Sequence, residues 1–122
     1  MSRIEKDEER EERIHNEVIV DAYGEDEQEM GWFYYLTDSM NFPFQAQCIK
    51  EIRKSPLKSG EMVTVMDMVA DDRGHDMLAE IEFQGRTLAV PLSQLQAIDG
   101  NELTRQAIED WHYWVARGYE FG

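Results

Sequence analysis

The stretch MLAEIEFQGRTLAVPLSQL, residues 77–95, decides the fold. Within it Ala79, Ile81 and Phe83 alternate with Glu80 and Glu82. That period of two puts apolar side chains on one face of a strand and carboxylates on the other. Gln84 and Gly85 break the pattern as a tight turn into RTLAVPLSQL, which ends at Pro91 in a short helical turn. Toward the N-terminus, DDRGHD (71–76) reads as a polar loop, MVTVMDMVA (62–70) as a strand and KSPLKSGE (54–61) as a turn. Phe44, Ala46 and Cys48 alternate with Gln45 and Gln47 and mark one more strand with one buried face. Four or five short antiparallel strands joined by short loops predict a small antiparallel SH3-like β-barrel or curled sheet.

Outside this region the period lengthens. Ile14, Val18 and Ala22 recur every four residues, a helical stripe that Gly24 ends or bends. A second helix starts near Glu25, with Glu25, Asp26 and Glu27 in a first turn where the helix dipole favours negative charge. It runs through GWFYYLTDSM, burying some of Trp32, Phe33, Leu36 and Met40, until Pro43 stops it. At the other end Asn101 is an N-cap. Leu103, Ala107, Trp111 and Val115 follow one helical face, and Gly118 is the stop. The expected class is α+β, a single domain over 1–122 with helices from both chain ends flanking the sheet. Residues 1–13 read as a solvated helix start or a frayed acidic arm.

Charge narrows the function. The 122 residues carry 26 Asp and Glu against 12 Lys and Arg, a net charge of −14. Such a surface repels nucleic-acid phosphates and anionic membranes, so neither is an expected partner. The first candidates instead are solubility and the attraction of cations. A single cysteine, Cys48, excludes an internal disulfide framework or a cysteine zinc quartet. The charged start, MSRIEKDEER, has no apolar signal core, and a cytoplasmic protein is expected. His15, His75 and His112 lack metalloprotease spacing, and neither a phosphate-binding glycine loop nor a nucleophile elbow is present. No enzymatic activity is expected. His112, inside DWHYWV, reads as a packed residue hydrogen-bonded to a carboxylate.

Ca²⁺ is a hard cation that takes about six to eight oxygens at roughly 2.3–2.6 Å, which clustered Asp and Glu supply. The densest cluster is Asp21, Glu25, Asp26, Glu27 and Glu29, without an intervening positive charge. Asp38 ends an aromatic helix where the chain turns toward the sheet. Asp71, Asp72 and Asp76 make a third group, diluted by Arg73. Helix capping and turn chemistry explain the same acids without a metal, and the EF-hand loop pattern is absent.

Three stretches add a resemblance: VDAYGEDEQEMGWFYYLTDSMNFPF (20–44), AVPLSQL (89–95) and AIEDWHYWVARGYEF (107–121). Together they resemble the CcbP family of calcium-binding proteins known from cyanobacteria, over about Glu12 to Phe121. The resemblance implies a small acidic protein that binds Ca²⁺ through carboxylates without an EF-hand and buffers or senses intracellular calcium. Asp21, Asp38 and the acids after Gly24 match acidic positions of the family, and Asp71 to Asp76 match only as an acidic loop in a similar place, interrupted by Arg73 and His75. The resemblance does not itself select the ligands; the expected metal ligands are Asp38 and Asp21 first, then Glu25, Glu27 and Glu29, then Asp71, Asp72 and Asp76. Asp110 matches an acidic position too, but beside Trp111 and Trp114 an internal hydrogen-bonding role fits it equally. The alternative is an SH3-like protein-interaction module without metal, its aromatic groove built from Trp32, Tyr34, Tyr35, Tyr113 and Trp114. A protein partner is not identified by either reading.

Overall fold

The computed structural model describes residues 7–20, 24–53, 55–69 and 76–117. Helix α1 (Glu8–Arg13) runs into a π-helical turn (Ile14–Val18), and α2 (Glu25–Ser39) follows. Next come β1 (Phe44–Cys48), β2 (Met62–Val69), β3 (Leu78–Phe83) and β4 (Arg86–Pro91). A 3₁₀ turn (Leu92–Gln94), β5 (Leu95–Ala97) and α3 (Glu102–Ala116) complete the order.

The strands form one antiparallel sheet in the order β4-β3-β2-β1-β5. β4 and β5 are the edges and do not pair with each other among the described residues, so the sheet is open and not a closed barrel. The β3–β4 hairpin turns at Gln84 (φ 51°) and Gly85 (φ 77°). Two successive positive φ angles match the twist of the flanking strands, and glycine takes the second at no steric cost. In β2 the register shifts between Val65 and Asp67. Val63, Val65 and Met68 are buried while Met66 and Asp67 both face out. Without this bulge, strict alternation would send Asp67 into the core.

Helices α2 and α3 cover the sheet's inner face. Trp32 is fully buried at their crossing, its ring 5.0 Å from that of Trp111, 5.4 Å from that of Trp114 and 5.9 Å from that of Tyr35. Burying such side chains contributes roughly 1.5–3 kcal/mol each. Asn101 caps α3 by accepting from the Thr104 amide, and the Thr104 hydroxyl accepts from the Asn41 amide just beyond α2. The end of α2 is thereby tied to the start of α3.

The buried face of α3 corrects the expected stripe. Leu103 is 58% and Val115 37% exposed, whereas Thr104, Ala107, Ile108, Trp111 and Trp114 are buried. Steps of four residues drift about 40° around a helix each time, so a strict i, i+4 line leaves the core. The first stripe is modified as well. Ile14 and Val18 are buried, but the turn between them is π-helical, closed by Ile19 N–H to the Ile14 carbonyl at 3.0 Å. Ala22 lies outside the described residues. Gly31 lets this turn approach α2, because a β-carbon there would collide with the Val18 carbonyl oxygen. No helix among the described residues is long and apolar enough to cross a membrane.

Candidate metal centre

The candidate ligands on α2 occupy its two ends. Asp38 is exposed, in a last turn that contains no basic residue. A carboxylate there faces the negative pole of the helix, at a cost of about 0.3–1 kcal/mol that a cation would relieve. Glu27 is exposed and Glu29 half-buried, in the first turns of the same helix. There the dipole favours them without a metal. At 1.5 Å per residue, Glu27 lies about 16 Å and Glu29 about 13 Å along the axis from Asp38, with Glu29 on the opposite side. Oxygens on one Ca²⁺ sit roughly 2.3–2.6 Å from it. One ion therefore does not span these two ends.

Asp76 is half-buried, and its Oδ1 accepts from the Met77 amide at 2.8 Å as the chain enters β3. Asp21, Asp71 and Asp72 lie outside the described residues, as does the side chain of Glu25. Among the described residues, no group of three or more His, Cys, Asp or Glu is placed to hold a metal ion. The donors match Ca²⁺ in chemistry, being hard oxygens, but those described do not form a shell by themselves.

Several acids are committed elsewhere. Asp110 is fully buried on α3. Its Oδ1 accepts from Arg10 Nη1 and Arg13 Nη2, both at 2.7 Å, and its Oδ2 from Arg13 Nε at 3.0 Å and the Tyr35 hydroxyl at 2.6 Å. Two guanidinium groups and a phenol satisfy this carboxylate, so the hydrogen-bonding role prevails over the metal one. Burial, then the bond to Asp110, pushes the Tyr35 phenol well above its ordinary range. The hydrogen bond to Asp110 holds Arg13 firmly protonated. Within the charged stretch before Ile14, Glu8–Arg13 is thus a helix, capped by Asp7 and docked onto α3, and residues 1–6 lie outside the described residues. Beside it, the Tyr113 hydroxyl donates to Glu11 Oε2 at 2.7 Å and accepts from the Asp7 amide at 2.9 Å. Sequence reasoning missed Arg10 and Arg13. The available signal was an aspartate among tryptophans, which needs a cation from somewhere.

Asp99 accepts from the Gln45 amide at 2.7 Å, Glu61 from the Lys58 amide at 2.6 Å and Asp67 from the Met68 amide at 2.8 Å. His112 bonds a backbone carbonyl, not the expected carboxylate: its Nε2 lies 2.6 Å from the Leu95 oxygen. Burial holds His112 below the ordinary histidine range, so the neutral ring donates there. Burial also raises the Cys48 thiol, which points to the Lys50 carbonyl at 3.1 Å. The aromatic groove is not formed. Trp32, Tyr113 and Trp114 are core residues, Tyr35 is bound to Asp110, and Tyr34 is the exposed member at 56%.

The family model for CcbP, described as calcium binding, matches residues 12–115. Among solved structures, the crystal structure of Anabaena CcbP is 43% identical with a TM-score of 0.86, covering 99% of this chain and 100% of that one. A calcium binding protein in its calcium-binding form is 42% identical with a TM-score of 0.84, again covering 99% and 100%. No curated protein matches significantly. Aligned over nearly its whole length, this chain belongs to the CcbP family of calcium-binding proteins.

Proposed function

We propose that the protein binds Ca²⁺ through surface carboxylates without an EF-hand, acts as a buffer or sensor of calcium, and has no enzymatic activity of its own. The observation that carries this reading is the 42% identity, over nearly the full length of both chains, to a protein solved in its calcium-binding form. The charge of −14 and the exposed carboxylate of Asp38, in a last turn of α2 that holds no basic residue, support it. Asp38 is the first proposed ligand. Asp21, Glu25, Glu27 and Glu29 are proposed for the opposite end of α2, and Asp71, Asp72 and Asp76 for the β2–β3 connection. Where Asp38 and Glu27 both ligate, they hold different ions. The chain acts as one domain in this reading.

Binding works by mass action. A ligand that prefers the folded state stabilises it by about 2.7 kcal/mol at a hundredfold excess over its Kd. Melting temperature should therefore rise with Ca²⁺ and fall with chelator. An identical melt in both solutions contradicts the proposal. Mg²⁺ demands tighter octahedral geometry and releases water reluctantly, so excess Mg²⁺ should displace Ca²⁺ poorly.

A further inference from the structure

The last turn of α2, where Asp38 stands, is finished from the far end of the chain. A helix leaves its final carbonyl oxygens without partners inside itself. In α2 the Met40 amide closes the one on Leu36 at 3.0 Å. The next amide, of Asn41, is the one that many helix ends fold back onto the remaining carbonyls. Here it donates instead to the Thr104 hydroxyl of α3 at 2.9 Å. Among the described residues, the carbonyls of Thr37, Asp38 and Ser39 are left without a backbone hydrogen bond.

Thr104 takes the amide because its own geometry is fixed. It is fully buried. Its hydroxyl gives its proton to Asn101 Oδ1 at 2.9 Å, the same oxygen that accepts from the Thr104 amide. A lone pair is then left to face Asn41. The γ-methyl packs beside Gly100 (φ 113°), where a β-carbon would lie 3.3 Å from it. Four residues beyond Asn41, the Gln45 amide donates to Asp99 Oδ1 at 2.7 Å, and the Ile98 amide donates to the Gln45 carbonyl at 2.8 Å. The segment leaving α2 is thus held against residues 98–104 at both of its ends.

Ca²⁺ accepts backbone carbonyl oxygens beside carboxylates. Free carbonyls at a helix end also make up its negative pole. A hydroxyl that draws the competing amide away keeps both available to a cation. We propose that Thr104 is a positioning residue for the Ca²⁺ site at Asp38. Without touching the ion, its hydroxyl holds the Asn41 amide off the last turn of α2 and preserves the carbonyl oxygens of that turn. This role rests on Asp38 being a ligand, as proposed above. Residues that orient metal ligands from behind typically cost about 10–100-fold in metal affinity when they are replaced.

Two substitutions separate the hydroxyl from the methyl group. Thr104→Val keeps the packing beside Gly100 and removes the hydroxyl, and Thr104→Ser does the reverse. Ca²⁺ affinity, read by competition with a calcium-sensitive dye, should fall about tenfold in Thr104→Val. It should stay within about twofold of wild type in Thr104→Ser, whichever variant melts lower. Added to Asp38→Asn, Thr104→Val should cause no further loss, because the two act on one ion. In the Ca²⁺-free chain, NMR should show slow exchange of the Asn41 amide in wild type and Thr104→Ser, and fast exchange in Thr104→Val. Equal affinity loss in both Thr104 variants, a further loss on top of Asp38→Asn, or equal Asn41 exchange in all three proteins overturns the positioning role. Loss in Asp38→Asn beside unchanged affinity in Thr104→Val overturns Thr104 alone. Unchanged affinity in Asp38→Asn overturns the ligand reading, and the role of Thr104 with it.

Discussion

Arg13 holds Asp110 with both arms of its guanidinium, Nε to Oδ2 at 3.0 Å and Nη2 to Oδ1 at 2.7 Å, across 97 residues of sequence. Removing one partner of a buried pair leaves a charge without compensation, which typically costs 3–5 kcal/mol. Arg10 and Tyr35 remain on Asp110 in Arg13→Ala, so the expected loss is about 2–3 kcal/mol. Urea unfolding measures it. A change below about 0.5 kcal/mol, the ordinary range for surface substitutions, would show that α1 is not docked as described.

Gly31→Ala should destabilise the fold although it adds only a methyl group. The new β-carbon meets the Val18 carbonyl, which is backbone and has no rotamer to yield. Overpacking of this kind costs roughly 1–3 kcal/mol. The thermal melt should fall accordingly. An unchanged or raised melting temperature contradicts the close crossing, since alanine is otherwise the better helix former.

His112 sets a pH dependence. Its folded pKa is lowered by burial from the ordinary 6.5. The unfolded chain therefore binds the proton more readily, and stability falls as pH drops below about 6.5 toward the folded pKa. Above that point the contribution is fully present. His112→Gln should flatten the slope of stability against pH between 6.5 and 5, measured by urea midpoints. An unaltered slope would remove His112 as its source.

The two ends of α2 should respond separately. Asp38→Asn should lower Ca²⁺ affinity at its own site by tenfold or more. The paired Glu27→Gln, Glu29→Gln variant should leave that site intact, because about 13–16 Å of helix lies between them. Competition against a calcium-sensitive dye compares the variants. Parallel losses in both would mean the acids share one ion, against the geometry of α2.

The sheet was legible because Ala79, Ile81 and Phe83 alternate cleanly, and because only a positive-φ turn joins β3 to β4 at Gln84 and Gly85. The bulge in β2 was not legible. MVTVMDMV alternates well enough by composition, and only pairing with β3 shows that Met66 and Asp67 both face out. The face of α3 was misjudged by the drift of a four-residue step, which a 3.6-residue helix cannot follow from Leu103 to Val115. At the candidate site, residue type pointed to a hard cation, and the resemblance to calcium. Position along α2 was also readable. Which acids are spent on the protein was not: Asp110 and Glu11 look like any other carboxylate until Arg10, Arg13 and Tyr113 are brought to them by the fold. The bond between Asn41 and Thr104 joins positions 63 residues apart, and no local pattern announces such a meeting.

The central claim is that this chain captures Ca²⁺, and a calorimetric titration of the 122-residue chain with Ca²⁺ in millimolar Mg²⁺ tests it most directly. The account predicts a saturable heat with a stoichiometry of one or two ions, reduced in Asp38→Asn. A trace indistinguishable from buffer dilution would contradict it.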